Sequence, residues 1–159
     1  MKITLKDGSV KEYAQSMSVL DIAKDISEGL ARVATAAKVD GEIVDLRTEV
    51  TKDCELELLT FDSEEGKGAF WHTTSHILAQ AVKRLYPETK LAIGPSIDNG
   101  FYYDLDRETP FVPEDLEKIE AEMKKIAKEA LSIERFTMPR EEAIAYFKEN
   151  EEPYKVELV

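Results

Sequence analysis

The sequence predicts an α+β protein in two parts, and three observations lead there. Residues 1–60 fall into short alternating runs punctuated by Asp-Gly pairs, with one helical stretch among them. Residues 61–68, FDSEEGKG, combine acidic residues with two glycines and show no apolar periodicity, the composition of a linker. Residues 69–159 carry longer helical patterns interleaved with fewer β-like runs. The expected organisation is a first domain over 1–61, a linker over 62–68 and a second domain over 69–159.

In the first part, KITL and VKEY flank Asp7-Gly8, a hairpin signal because glycine accepts the positive φ of tight turns. Ser18 is placed to cap a helix, with Asp21 three residues on, and Val19, Leu20, Ala23, Ile26 and Leu30 recur at helical spacing. RVATAAKV, the turn Asp40-Gly41 and EIVDL predict a second β pair, and CELELLT alternates as a closing strand. Hairpin, helix and further strands in that order resemble a β-grasp, ubiquitin-like domain.

In the second part, WHTTSHILAQAVKRLYP reads as a helix whose stripe is Thr74, Ile77, Leu78, Ala81, Val82 and Leu85. In LAIGPSIDNGFYYDLD, Asn99-Gly100 predicts a hairpin with Tyr102 and Tyr103 on its second strand. A long helix follows over about 114–131, with Leu116, Ile119, Met123, Ile126 and Ala130 facing a mainly antiparallel sheet. SIERFTM reads as a strand, Pro139 as the start of a helix ending near Asn150, and YKVELV as another strand beginning. A chain ending on a fresh strand suggests a domain cut before it is complete.

Composition bounds the chemistry. The 43% hydrophobic content suffices for packed cores, and no apolar run reaches the length of a membrane span. The net charge of −12, from 33 acidic and 21 basic residues, comes without a basic run, so phosphate attraction is not the expected grip on any nucleic acid. The single cysteine, Cys54, cannot form an internal disulfide and reads as a small packed residue in a reducing compartment.

His72 and His76, the only histidines, are four residues apart on one predicted helix and nearly opposite its apolar stripe. Both imidazoles could reach one metal ion, one water or one substrate; equally, two surface histidines could share a solvated face. A zinc-protease helix needs Glu directly after the first His, and position 73 is Thr. Spacing alone does not decide.

The surroundings add to this reading. HTTSH, then GPSIDNGFYYD, then EPYKVEL, behind a β-grasp pattern, together resemble the N-terminal part of bacterial-type threonyl-tRNA synthetases. The resemblance covers the whole chain: its first part is similar to a TGS domain, and residues from about 66 onward to the first part of an editing domain. It implies an ATP-dependent ligase of class II as the full-length protein, cytoplasmic, with ATP, Mg and Zn serving its core and no cofactor in this part. It also implies tRNA-Thr as partner, homodimerisation with the rest of the synthetase chain present, and no membrane.

The implied chemistry of this part is hydrolysis of seryl-tRNA. Serine lacks only a methyl relative to threonine, a difference worth roughly 1–3 kcal/mol, so charging alone discriminates poorly and a second, smaller site must remove the error. By the resemblance, His72 acts on the terminal ribose hydroxyl or the attacking water, and His76 orients substrate. Tyr103 lines the pocket, with Asp104 beside it. Lys155 steadies developing negative charge or holds the water. Gly94 and Pro95 offer backbone groups to the seryl moiety.

Without the resemblance, Tyr103 could simply pack on a sheet, Gly94-Pro95 could be only a turn, and Lys155 would read as a solvated charge. The family's Cys-x-x-x-His segment, aminoacylation core and anticodon-binding part find no counterpart in these residues, so the fragment is not expected to ligate threonine. Two alternatives stand beside this reading: a non-enzymatic, TGS-containing regulatory or RNA-binding module, and a free-standing deacylase that completes its site by dimerising.

Overall fold

The computed structural model describes every residue from Met1 to Val159 and resolves into two compact units, Met1–Phe70 and Trp71–Val159. In the first unit, β1 (Lys2–Leu5), β2 (Val10–Glu12), β4 (Ala34–Val39), β5 (Glu42–Val44) and β7 (Cys54–Thr60) form one sheet in the order β2-β1-β7-β4-β5. β1 and β7 run parallel at its centre, and the other pairs are antiparallel. Two short strands, β3 (Met17–Ser18) and β6 (Glu49–Val50), pair separately. This is the α+β, β-grasp arrangement the sequence predicts, with α1 (Val19–Ile26) contributing Val19 and Ile22 to the core beside Ile3, Ala37, Val50, Cys54 and Leu56.

Local chemistry explains the joints. Asp40 (φ 51°) and Gly41 (φ 85°) form the two-residue turn between Val39 and Glu42, both in the left-handed region that such a turn demands. The Ser18 hydroxyl accepts the Asp21 N–H at 3.1 Å, as its spacing predicts. The helix does not run on to Leu30. Ser27 adopts an extended conformation (φ −166°), closes α1 by donating its N–H to the Ala23 carbonyl, and caps a separate α2 (Glu28–Val33) through the Leu30 N–H. Ile22, absent from the predicted stripe, is fully buried, whereas Leu20 is only partly covered.

The expected linker is also corrected. α3 spans Glu64–Leu85, so its first turns occupy residues read as irregular. Ser63 makes this start feasible by accepting the Gly66 N–H at 3.1 Å and donating to the Thr60 carbonyl at 2.9 Å. Gly66 is required for space, since a Cβ there would lie 2.1 Å from the Thr60 carbonyl oxygen.

In the second unit, α4 (Pro113–Glu129) packs Ile119 and Ile126 on Ala81 and Val82 of α3, with Leu105 and Phe111 alongside. The strands there are short: β8 (Lys90–Leu91) pairs with β11 (Leu105–Asp106), and β9 (Ser96–Ile97) with β10 (Gly100–Phe101). Leu85 and Leu116, assigned to apolar stripes, are instead exposed. Ala130 ends α4 in the left-handed region (φ 47°).

Two predicted strands are not strands. SIERFTM is irregular and Ile133 and Phe136 are exposed, because alternation makes a strand only where a neighbouring edge supplies hydrogen bonds, and no strand pairs with it. The YKVELV segment lies instead in the short helix α6 (Pro153–Leu158) after α5 (Arg140–Glu149). Pro153 at the first helical position and the Glu152 carbonyl, which accepts the N–H groups of Lys155 and Val156, favour helix over strand.

Candidate functional site

A separation of four residues, just over one turn of α3, places His72 and His76 on one face, and the pair engages itself. The two Nε2 atoms are 3.1 Å apart and the rings meet edge to face with centroids 4.6 Å apart. Both side chains are accessible to solvent, while the stripe toward Ile119 and Ile126 lies on the far side. Partial burial, first, and then the neighbouring His72 and Lys155 charges hold the His76 imidazole below its usual pKa of 6.5. Both ring nitrogens that face each other can be satisfied only if one carries a proton and the other a lone pair.

The loop after β8 meets this turn of α3 at Ser75, whose Oγ lies 2.8 Å from the Gly94 carbonyl oxygen. Ala92 and Ile93 exchange backbone hydrogen bonds with Asp104, at 3.0 and 2.8 Å, so Tyr103 is carried opposite Gly94. The ring of Tyr103 lies directly on Gly94: a Cβ at that position would sit 2.1 Å from Cδ2 and 2.4 Å from Cε2. Lys155, on α6, donates from Nζ to the Ala92 carbonyl at 3.0 Å and stands 5.9 Å from the Tyr103 ring centroid, within cation–π range. Burial and the nearby Glu152 carboxylate raise the Tyr103 phenol.

Tyr103 is thus half-buried in the group, whereas Tyr102 and Asp104 alternate outward and are exposed. Neither tyrosine lies in a regular strand as predicted, because the β9–β10 ladder ends at Phe101. The turn itself is Asp98-Asn99, one residue earlier than Asn99-Gly100, with Gly100 at φ 141° pairing with Ile97. Pro95 is partly covered next to Gly94.

Comparison with known proteins places the whole chain beside one group of sequences. Residues 1–60 match the family model described as TGS domain. Over all 159 residues the chain is 64% identical to the threonine--tRNA ligase of Acetivibrio thermocellus, 63% to that of Clostridioides difficile and 58% to that of Caldanaerobacter subterraneus subsp. tengcongensis. It spans 25% of the length of each of these relatives. Over its whole length the chain is similar to the N-terminal quarter of these threonine--tRNA ligases.

Three residues that sequence reasoning passed over, Ser75, Lys83 and Glu152, tie the candidate site together. Ser75 is fully buried between the histidines, its Oγ 2.7 Å from the His72 carbonyl oxygen and 2.8 Å from that of Gly94, and its single proton ties the histidine turn or the Gly94 loop at any moment. Glu152 is a buried carboxylate that accepts from Lys83 Nζ at 2.9 Å and from the Leu91 N–H at 3.1 Å. Ser75 could have been noticed as a polar residue within two positions of apolar ones on the helix. The Lys83–Glu152 pairing spans the length of the unit and has no local sequence signal. No group of three His, Cys, Asp or Glu side chains gathers to hold a metal ion, and no helix is long and apolar enough to cross a membrane.

Proposed function

We propose that this chain supplies the first half of a proofreading site, in which a cytoplasmic threonine--tRNA ligase hydrolyses serine from mischarged tRNA-Thr. The observation that carries the reading is the contact between the His72 and His76 rings beside the Tyr103, Gly94 and Lys155 group, in a chain that over its own full length is similar to the N-terminal quarter of threonine--tRNA ligases.

The reaction adds water across the ester carbonyl and releases serine and the ribose hydroxyl. If His72 donates from Nε2 to His76 Nε2, its own Nδ1 retains a free lone pair and can take a proton from water or the ribose hydroxyl. His76 then carries its proton on Nδ1 and can donate to the substrate. Its depressed pKa keeps it neutral near pH 7, which this arrangement requires. An ammonium beside the Tyr103 ring can stabilise the oxyanion of the tetrahedral intermediate, and the ring packed on Gly94 limits the room for an added methyl.

ATP-dependent ligation of threonine, with its ATP, Mg and Zn, and homodimer assembly belong in this reading to the remainder of the ligase. The residues of this chain do not gather a donor set for a metal, and no step here passes through one. The substrate assignment is tested by comparing hydrolysis of seryl- and threonyl-tRNA-Thr by the full-length ligase that contains this segment. Faster release of serine, by about 10-fold or more, is expected; equal rates for the two esters would overturn the assignment.

A further inference from the structure

Lys155 sits on a helix of six residues that contributes nothing to either buried cluster. Its place must therefore be fixed by polar ties. The strongest set converges on Glu152, the residue that opens the helix. Both carboxylate oxygens are engaged, Oε1 by Lys83 Nζ at 2.9 Å and Oε2 by the Leu91 N–H at 3.1 Å. Lys83 Nζ also donates to the carbonyls of Pro87 at 2.9 Å and Thr89 at 3.1 Å, so all three of its protons are used. The Glu152 carbonyl in turn accepts the Lys155 N–H at 3.1 Å and the Val156 N–H at 3.2 Å. One residue thus anchors α6 by its side chain and nucleates it by its backbone.

The consequence reaches the site. Leu91, held by Glu152, precedes Ala92, whose carbonyl receives the Lys155 ammonium, and Ala92 pairs through its N–H with Asp104 next to Tyr103. The 91–94 segment is gripped at successive residues by two side chains from one turn of α6. The remaining ties of α6, Tyr154 Oη to Asp106 and Arg140 Nε to the Val159 carbonyl, are exposed, and water competes for them.

We infer that the Lys83–Glu152 pair, with its carboxylate buried, is a positioning device for the candidate site, holding Lys155 against Ala92 and Tyr103. The inference deepens the proposed editing reading, but it concerns where an ammonium is held and can be tested apart from hydrolysis. His76 serves as the probe, because the charged groups bearing on it are His72 on its own helix and Lys155 from α6.

The experiment is an NMR titration of the His76 ring in the 159-residue chain and in Glu152→Ala, Lys155→Met and the double variant. Removing a carboxylate by itself lowers a neighbouring imidazole's pKa, whereas releasing Lys155 raises it, so the direction of the change is diagnostic. The expected result is a rise in Glu152→Ala toward the Lys155→Met value, with no further change in the double variant. An unchanged or lowered His76 pKa in Glu152→Ala, or an equal shift with Lys155 already absent, would overturn the inference. Glu152→Gln, isosteric with the native side chain, gives the same test with a smaller rise if the alanine variant does not fold. Seryl-tRNA hydrolysis by the corresponding full-length variants reports on the editing reading separately, since the titration outcome holds whether or not the ester is cleaved.

Discussion

Replacing Gly94 by alanine isolates the contact that shapes the site. The added Cβ would stand 2.1, 2.4 and 2.8 Å from Cδ2, Cε2 and Cγ of Tyr103, and a return to ordinary contact at 3.4 Å obliges the ring to recede by about 1.3 Å. The ring is half-buried and stacked toward Lys155, so that movement spreads into the packing around it. Overpacking of this kind costs about 1–3 kcal/mol. In a unit of this size that lowers Tm by roughly 4–8 °C per kcal/mol. Urea unfolding followed through the single tryptophan, Trp71, measures the cost. The same substitution in a Tyr103→Ala background should cost no more than about 0.5 kcal/mol, since the obstructing atoms are gone. An equal loss in both backgrounds, or no loss in the first, would refute the assignment of the strain to this ring.

Other perturbations test separate parts of the account. Leu56→Ala empties a position 2% exposed in the first unit's core and should destabilise that unit by about 2–5 kcal/mol in a denaturant melt. Ser63→Ala removes the acceptor for the Gly66 N–H and should cost about 0.5–2 kcal/mol, with amide exchange accelerated over residues 64–68. His76 has a folded pKa below its unfolded value, so the unfolded chain binds more protons in the window below pH 6.5. Its contribution is therefore favourable above that pH and lost as pH falls through the folded pKa. His76→Gln should flatten the stability–pH profile on the acid side of neutrality, which thermal melts across pH 5 to 8 would detect.

The sequence carried most of the first unit because its determinants are local. Ser18 caps α1 through a residue three positions away, and Asp40-Gly41 defines a turn from two residues alone. CELELLT showed its strand character by alternation, although Leu59, opposite Ala36, is buried out of phase where the β4–β7 register shifts. The histidine pair was legible for the same reason, four residues on one helix.

What failed depended on distant partners. SIERFTM has the residues of a strand but meets no edge, and YKVELV bends into a helix because Glu152 is held by Lys83 and Leu91 from the other end of the unit. FDSEEGKG has the composition of a linker and no apolar periodicity, yet Gly66 leaves room for a helix to start against the Thr60 carbonyl, a contact distant from any local pattern. Tyr103 and Lys155 were placed by resemblance to a family; their meeting across Gly94 and Ala92 emerged only from the folded unit.

The central claim, that the His72–His76 pair belongs to a hydrolytic proofreading site, is tested most directly by single-turnover deacylation of seryl-tRNA-Thr. The assay uses the full-length ligase containing this segment, with and without His72→Ala. Loss of a general base predicts a fall of about 100-fold or more in serine release, with threonine charging unchanged. Serine release at the unmodified rate in the variant would contradict the account.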